Sequence, residues 1–272
     1  MSFPDRPIAF VLAASNHGTM IVNRNDHNVY SSGYTYGVGY QILQTSSFDA
    51  SEVGFLLVLL DRRRKYFGDG VLAIDGGANI GVHTIEWARH MHGWGRVLSF
   101  EAQEVVYYAL AGNIAINNCL NARAKLAALG DHEGDLIVPQ PDYFAHASFG
   151  SLELRHHERT EDIGQRISYD PSTGVVVPMV SIDSLVLERV DFIKLDVEGM
   201  EIDVLRGARK TLQTLKPILC VEIIKSDQAV IKGLLDELGY RYFPVWLNLI
   251  AVHADDPVLQ HMEHRDGVTY LR

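Results

Sequence analysis

Residues 71–84 read Val-Leu-Ala-Ile-Asp-Gly-Gly-Ala-Asn-Ile-Gly-Val-His-Thr. The first residues are apolar and end in one acid, Asp75. That is the pattern of a strand buried on both faces, with its tip at the edge of a site. Gly76, Gly77 and Gly81 then crowd into a short turn, and Ile80, Thr84, Ile85 and Ala88 recur at helical spacing. The stretch therefore predicts a strand, a glycine turn and a helix. Glycine lets the main chain bend sharply and lets a ligand touch backbone where a Cβ would block it. The helix that follows points its first N–H groups at the same place.

Outward from this unit, strands and helices alternate. Residues 96–101 read as a second strand ending in Glu101, followed by a helix over 103–118. A third strand over 122–129 stops at Gly130-Asp131. An excursion over 139–175 holds Pro139, Pro141 and Pro171, after which 175–180 is apolar and β-branched and 181–187 suggests a short helix capped by Ser181. Residues 191–196 form another strand with an acid, Asp196, at its end. A helix over 200–215, a strand over 218–224, a helix over 228–238 and two adjacent short strands, 241–246 and 248–253, complete the pattern.

This alternation predicts an α/β fold: a doubly wound, mostly parallel seven-stranded sheet with an antiparallel terminal hairpin. Residues 49–254 form the main domain, with 139–175 as an inserted variable segment. Residues 1–48 form an N-terminal extension and 255–272 a C-terminal tail. The extension carries a tyrosine-rich stretch over 30–40, which reads either as a packed aromatic loop or as a flap over a substrate. A helix from about 50 to 66, capped by Asp49 or Ser51, ends in Arg62-Arg63-Arg64-Lys65. Cations in a last turn are expected from the helix dipole alone, so this run reads as a solvated helix end.

The 272 residues are 47% hydrophobic and 21% charged, which suits one large domain with a substantial core. A formal charge of −10 gives no electrostatic reason to seek phosphate backbones, so nucleic acid is not an expected partner. Two cysteines, Cys119 and Cys220, make no disulfide framework and no Cys-x-x-Cys motif, which points to a reducing compartment. The first residues lack a charged start followed by an apolar signal core. The most apolar run, 53–60, falls far short of the roughly 20 residues a membrane span requires. A soluble cytoplasmic protein is expected, with a homo-oligomer left open.

Three strands end in carboxylates: Asp75, Glu101 and Asp196. Ligands of open α/β sheets bind outside the carboxyl ends of the strands, so these acids are expected to face one crevice. For any one of them, a helix cap or a solvated loop is the plain alternative. An acid at the second strand's end is placed to accept ribose hydroxyls. A dinucleotide fold would want Gly-x-Gly-x-x-Gly, but Ala78 replaces the middle glycine. An acid on the first strand suits a cationic ligand instead.

Asp75-Gly76-Gly77-Ala78-Asn79-Ile80-Gly81-Val82-His83-Thr84 resembles the first motif of the FkbM-type family of class I S-adenosylmethionine-dependent methyltransferases. Phe100-Glu101-Ala102 is similar to their second motif and Ala128-Leu129-Gly130-Asp131 to their third. Lys194-Leu195-Asp196-Val197-Glu198-Gly199-Met200-Glu201 resembles their signature after the fourth strand, continued by Leu205-Arg206-Gly207-Ala208. Cys220-Val221-Glu222-Ile223 and the terminal Asn248 to His253 also fit. The ordered set spans about residues 18–254. The resemblance implies a fold that binds S-adenosylmethionine and transfers its methyl group, usually to oxygen. By the same resemblance Asp75, Gly77 and Asn79 line the methionine end, Glu101 holds the ribose and Asp131 lies near adenine. Gly76, Ala78, Gly81, Thr84, Ala102 and Asp196 complete the implied cofactor set.

Methyl transfer to a hydroxyl needs the acceptor held in line and its proton removed. Asp196, Glu198, Lys194 and His83 are the candidates for that work. Lys194 reads equally as the partner of a nearby acid, and His83 as a structural group. No metal is expected: Asp196 and Glu222 lie near strand ends, but Ile223-Ile224 offers no Asp-Asn pair. The pairs His90/His92 and His156/His157 read as solvated. The chain has no Pro-Pro and no Pro-Cys, which argues against methylation of nucleic-acid bases at amino groups or at cytosine C5. The expected function is O-methylation of a small-molecule or glycan hydroxyl. The alternative is a non-catalytic, cofactor-binding scaffold, which loss of the acids would have favoured; all are present.

Overall fold

The computed structural model describes residues 6–30, 33–158 and 160–272. The first five residues of the extension, Ser31 and Ser32 of the tyrosine-rich stretch, and Arg159 of the inserted segment lie outside the described residues.

The described chain opens with a hairpin of β1 (Phe10–Ser15) and β2 (Gly18–Asn23). Two short paired strands follow, β3 (Asn28–Val29) and β4 (Thr35–Tyr36). Helices α1 (Val38–Thr45) and α2 (Ala50–Phe67) lead into the first half of the main sheet. There β5 (Val71–Gly76), α3 (Val82–His90), β6 (Gly95–Glu101), α4 (Glu104–Ile116) and β7 (Ala122–Leu126) alternate. A separate three-stranded sheet of β8 (Ala128–Leu129), β9 (Gly134–Val138) and β10 (Val175–Val180) interrupts the alternation. The main sheet resumes with β11 (Phe192–Leu195), α5 (Glu201–Gly207), α6 (Arg209–Leu215), β12 (Ile218–Glu222) and α7 (Gln228–Glu237). It ends with β13 (Tyr240–Val245) and β14 (Asn248–His253), and a hairpin of β15 (Met262–Arg265) and β16 (Val268–Leu271) closes the chain.

The main sheet has seven strands in the order β13-β14-β12-β11-β5-β6-β7. All neighbours from β12 to β7 pair in parallel, and β14 pairs antiparallel with both β12 and β13. This is the doubly wound α/β sheet with an antiparallel terminal hairpin expected from the sequence. Successive strand residues face opposite sides. Thus Val71 and Ala73 join one core with Leu56, Leu59 and Leu60 of α2 and Ile85 and Trp87 of α3. Leu72 and Ile74 join the other, with Val204, Leu212, Ile231 and Leu235 of α5 to α7. Burying each such aliphatic side chain contributes roughly 1.5–3 kcal/mol. No helix among the described residues is long and apolar enough to cross a membrane.

Four local expectations change. The strand expected over 122–129 breaks at Ala127, whose N–H turns to the Glu101 carbonyl (3.1 Å). β8 then leaves the main sheet to pair with β10. The helix expected over 200–215 breaks at Ala208, next to Gly207, where a Cβ would stand 2.2 Å from the Gly130 carbonyl oxygen. Asp49 precedes α2 in a left-handed conformation (φ 40°) with no side-chain capping bond. Its carbonyl, rather than its carboxylate, accepts from Val53 N–H (3.0 Å). The basic end of α2 is not wholly solvated either: Arg63 is buried and forms ion pairs with Asp191 (3.3 Å) and Asp256. It thereby ties the start of β11 to the segment before β15.

The N-terminal stretch and the inserted segment close over the carboxyl ends of the strands. Buried Asp26 joins them: Oδ2 accepts from Gly39 N–H (2.8 Å) and Oδ1 from Phe149 N–H (3.0 Å). Burial pushes the Asp26 carboxyl up to about 6 even against these two bonds. Asn28 Nδ2 donates to the Asp162 carbonyl (2.9 Å), and Tyr30 OH donates to Glu161 (2.7 Å).

Candidate active site

The glycine turn after β5 is held by its neighbours and by Asn79, whose Oδ1 accepts from Ile80 N–H (2.6 Å). Gly77 and Ala78 donate their N–H groups to the Phe100 carbonyl (3.1 and 2.9 Å). Gly77 has φ +76°, and a Cβ there would lie 1.8 Å from the Asp196 carbonyl oxygen. Only glycine lets these two loops touch. Asn79 also sits at positive φ (51°), which asparagine tolerates better than most residues.

Glu101, at the end of β6, pins that turn. Its Oε2 accepts from Asn79 N–H (2.8 Å) and its Oε1 from Gln103 N–H (2.8 Å). The carboxyl is buried, and burial pushes it up to about 7 against these bonds. Gln103 in turn donates to the Phe149 carbonyl (2.8 Å) and accepts from Tyr143 OH (3.2 Å), which joins this edge to the inserted segment.

The turn forms one end of a cavity of about 430 Å³, within the usual size of small-ligand sites. Phe100, Ala102, Ala127, Ala128 and Leu129 give that end an apolar wall, with Leu152 and Leu154 of the inserted segment opposite. The other end is polar. Lys194, Asp196, Glu198, Glu222, Lys225 and Glu161 line it, with Tyr30 and Tyr36 from the N-terminal stretch. The whole lining carries five carboxylates, counting Glu101, against two lysines.

Most of those charges are paired. Lys194, buried in β11, donates Nζ to Asp196 Oδ2 at 2.7 Å, and Asp196, Glu52 and Asp75 hold its proton affinity well above normal despite burial. Lys225 Nζ lies 2.5 Å from Glu198 Oε2 and 2.8 Å from Glu161, and donates to the Ser151 carbonyl (2.7 Å). Glu198 has φ +54°, a strained backbone for a glutamate. Burial raises its carboxyl well above the ordinary range, with Lys225 opposing. Glu222 is raised too, by burial and then by Asp196, Glu198 and Glu201. Its Oε2 is buried with no hydrogen-bond partner among the described residues. His83 reaches the cavity with Nε2 3.3 Å from Glu52 Oε1.

The expected site residues therefore divide. Gly77, Ala78, Asn79, Glu101, Ala102, His83, Lys194, Asp196 and Glu198 all line the cavity. Asp75, Gly76, Gly81 and Thr84 do not; they form the layer behind it. Asp75 is buried and its Oδ2 accepts from Thr84 Oγ1 (2.6 Å), so the first-strand acid orients α3 instead of meeting the crevice. Asp131 is also outside the lining, with its carboxylate turned to His132 (2.6 Å) beyond the bend after β8. Glu201 stays out as well: Oε1 accepts from Val197 and Gly199 N–H and clamps the loop that presents Asp196 and Glu198. The tyrosine-rich stretch contributes Tyr30, Tyr34 and Tyr36 to the lining, which favours the flap over the packed loop. Among the described residues no group of His, Cys, Asp and Glu side chains gathers as a metal site.

Sequence reasoning missed Gln103, Glu161 and Lys225. Their only signal was proximity to strand ends or to the variable segment. Glu222 enters the sequence reading only within the Cys220-Val221-Glu222-Ile223 motif and as a metal ligand that the missing Asp-Asn pair argues against.

A model of the Methyltransferase FkbM domain matches residues 75–242, from the glycine turn to β13. The chain belongs to the FkbM methyltransferase family. It is similar to Methyltransferase 1 of Beauveria bassiana (strain ARSEF 2860), 27% identical over 185 residues covering 64% of this chain and 74% of that protein. It is similar to Methyltransferase sdnD of Sordaria araneosa, 26% identical over 188 residues covering 61% and 72%. Among solved structures, Methyltransferase FkbM from Methylobacillus flagellatus KT superposes with a TM-score of 0.47 at 17% identity. That superposition covers 71% of this chain and 48% of that one, so this chain spans about half its length. As an FkbM family member the protein is a methyltransferase.

Proposed function

We propose that the protein is an S-adenosylmethionine-dependent O-methyltransferase that acts on a small molecule with a hydroxyl group and an apolar body. The observation that carries this reading is the division of one cavity into a backbone-lined end and a carboxylate-lined end. When bound, S-adenosylmethionine supplies a methyl carbon made electrophilic by a cationic sulfur. A lining with five carboxylates and two lysines suits a cation. The Gly77 wall suits close backbone approach, and Glu101 stands where ribose hydroxyls can be accepted. Phe100, Ala128 and Leu129 offer an apolar place for a purine, in place of Asp131.

The chain's own part is to orient the acceptor and to take its proton. Tyr30 and Tyr36 cover the polar end. Asp196, Glu198 and Glu222 face the place where a hydroxyl would enter, and Lys194 and Lys225 hold the first two of these acids in position. Positioning of this kind can supply several kcal/mol of a methyl transfer barrier. Ile224 and Leu247 line the cavity yet are 55% and 61% exposed. Such an apolar rim fits an acceptor with a hydrophobic body better than a bare glycan.

The test has two stages. Calorimetry with S-adenosylmethionine and S-adenosylhomocysteine should give binding by the wild type and about 100-fold weaker binding by Glu101→Ala. Mass spectrometry of a panel of sugars and of apolar alcohols, phenols and polyketide-like hydroxyls should then show methylated product among the apolar compounds. Binding without product in either class would turn the reading toward a scaffold.

A further inference from the structure

A hydroxyl acceptor needs a group to take its proton, and the structure separates the carboxylates that are already engaged from the one that is not. Asp196 Oδ2 holds Lys194 at 2.7 Å, and Glu198 Oε2 holds Lys225 at 2.5 Å. Glu161 holds Lys225 and Tyr30, while Glu101 holds two backbone N–H groups. His83 faces Glu52 at 3.3 Å. Glu222 is the exception. It ends β12, lines the cavity and carries a buried Oε2 with neither a hydrogen bond nor an ion pair among the described residues. Leaving a buried oxygen unpaired typically costs about 1–3 kcal/mol. A fold that keeps one in its ligand cavity leaves an acceptor for a donor carried by the ligand.

We propose that Glu222 receives the proton of the acceptor's hydroxyl during methyl transfer. This rests on the O-methyltransferase reading. The acceptor O–H donates to Glu222. As the hydroxyl oxygen's lone pair forms the new C–O bond, the methyl carbon's bond to sulfur breaks with its electrons going to sulfur. The O–H proton passes to the Glu222 carboxylate and from there to solvent. No further reagent is required.

The surroundings add an order to these events. Lys194, Asp196 and Glu198 face Glu222 from β11 and the loop after it, Glu201 from α5, Tyr36 from β4 and Cys220 from its own strand. Burial and the three acids outweigh Lys194 and keep Glu222 protonated at neutral pH in the free enzyme. A cation bound in the same cavity favours the ionised form. The base is therefore generated by cofactor loading, and an unloaded enzyme has none.

Calorimetry in buffers of different ionisation enthalpy reads this without knowledge of the acceptor. At pH 7.5, cationic S-adenosylmethionine should release about one proton more than neutral S-adenosylhomocysteine. Glu222→Gln should abolish that difference and leave the affinity for S-adenosylhomocysteine within about threefold. Equal proton release by both ligands, or a difference that survives in Glu222→Gln, overturns the role of Glu222 and leaves the cofactor site standing. Failure of both ligands to bind overturns the cofactor reading, and this inference with it. If Glu222→Gln does not fold, the infrared absorption of protonated carboxyls in the wild type decides, since it should fall by about one group more on adding S-adenosylmethionine than on adding S-adenosylhomocysteine, and an equal change with both refutes the proposal. On any hydroxyl compound that the wild type methylates, Glu222→Gln should lower kcat about 100-fold or more at saturating cofactor and flatten the pH profile, with the affinity for S-adenosylhomocysteine unchanged; a kcat within about threefold of wild type refutes it.

Discussion

At the glycine-turn end of the cavity, Glu101 directs one oxygen to Asn79 N–H and the other to Gln103 N–H. At the opposite end, Asp196 and Glu198 are met by the ammonium groups of Lys194 and Lys225, and Glu222 Oε2 by no hydrogen-bonding or ionic partner among the described residues. Both ends bury carboxylates, yet they use them differently. Backbone partners cannot leave, so Glu101 is part of the wall. Lysine side chains can turn to another partner, and an unpaired oxygen is already open to one. A ligand therefore meets a rigid mould at one end and an adjustable charge network at the other.

Where the two ends touch, at Gly77, the largest effect is expected. Gly77→Ala would drive a Cβ against the Asp196 carbonyl, 1.8 Å away, at φ +76°. Backbone must move, and a loss of about 4 kcal/mol is expected from strain and overpacking together. Gly93 has a similar φ, +81°, but open space around it. Gly93→Ala should therefore cost only the conformational strain, about 1–2 kcal/mol. Denaturant melts of both variants check this. Equal losses would mean that left-handed geometry alone explains Gly77, and that the ends are not in mechanical contact there.

Lys225→Met separates the ends next. It leaves Glu198 and Glu161 facing each other with no cation and frees the Ser151 carbonyl. Removing one partner of a buried ion pair typically costs about 3 kcal/mol. The inserted segment should loosen over the cavity, seen as faster proteolysis between 148 and 166, while Asn79 and Gln103 keep their protection from hydrogen exchange. Loss of protection at both ends together would show that the network and the wall are one unit.

The wall should matter more for cofactor than for stability. Glu101→Ala removes the acceptor of two N–H groups and the acid offered to ribose, and should weaken S-adenosylmethionine binding about 100-fold by calorimetry. Binding within a few-fold of wild type would remove Glu101 from the cofactor end.

Much of this layout is legible in residues 71–84 and in the strand-end acids, because buried parallel strands leave unbroken apolar runs and glycine leaves few alternatives for a turn. All seven strands of the main sheet are expected from the sequence, and β5 and β12 are the ones whose apolar runs announce them most directly. What was not legible depends on where side chains turn after the backbone is placed. Asp75 and Asp196 look alike in sequence, each an acid at a strand tip. One points back to Thr84 and the other into the cavity. The basic end of α2 looked solvated because the partners of Arg63, Asp191 and Asp256, are more than a hundred residues away in sequence. Lys225 and Glu161 were invisible for the same reason: their meeting is made by the inserted segment folding back, which no local pattern records.

The mildest probe is pH. Glu101 has a folded value of about 7, raised by burial from 4.5. The folded state therefore holds this proton more tightly than the unfolded chain. The associated stability is complete below the unfolded value and is lost as pH rises through about 7. Across pH 5–7 the cofactor-free protein should lose up to about 1.4 kcal/mol per pH unit from this group alone. Glu101→Gln should flatten the plot of stability against pH in that window, at the expense of one backbone hydrogen bond. Asp26 contributes with the same sign in a lower window, from 3.8 to about 6, and remains in both proteins. Glu222→Gln should flatten the plot from the same lower bound but up to about pH 9, past the end of the Glu101 window, because three neighbouring acids add to burial at Glu222 while backbone N–H groups oppose it at Glu101. If the flattening by Glu222→Gln also ends near pH 7, the two ends share one electrostatic environment, and the distinction between a wall and an adjustable network fails.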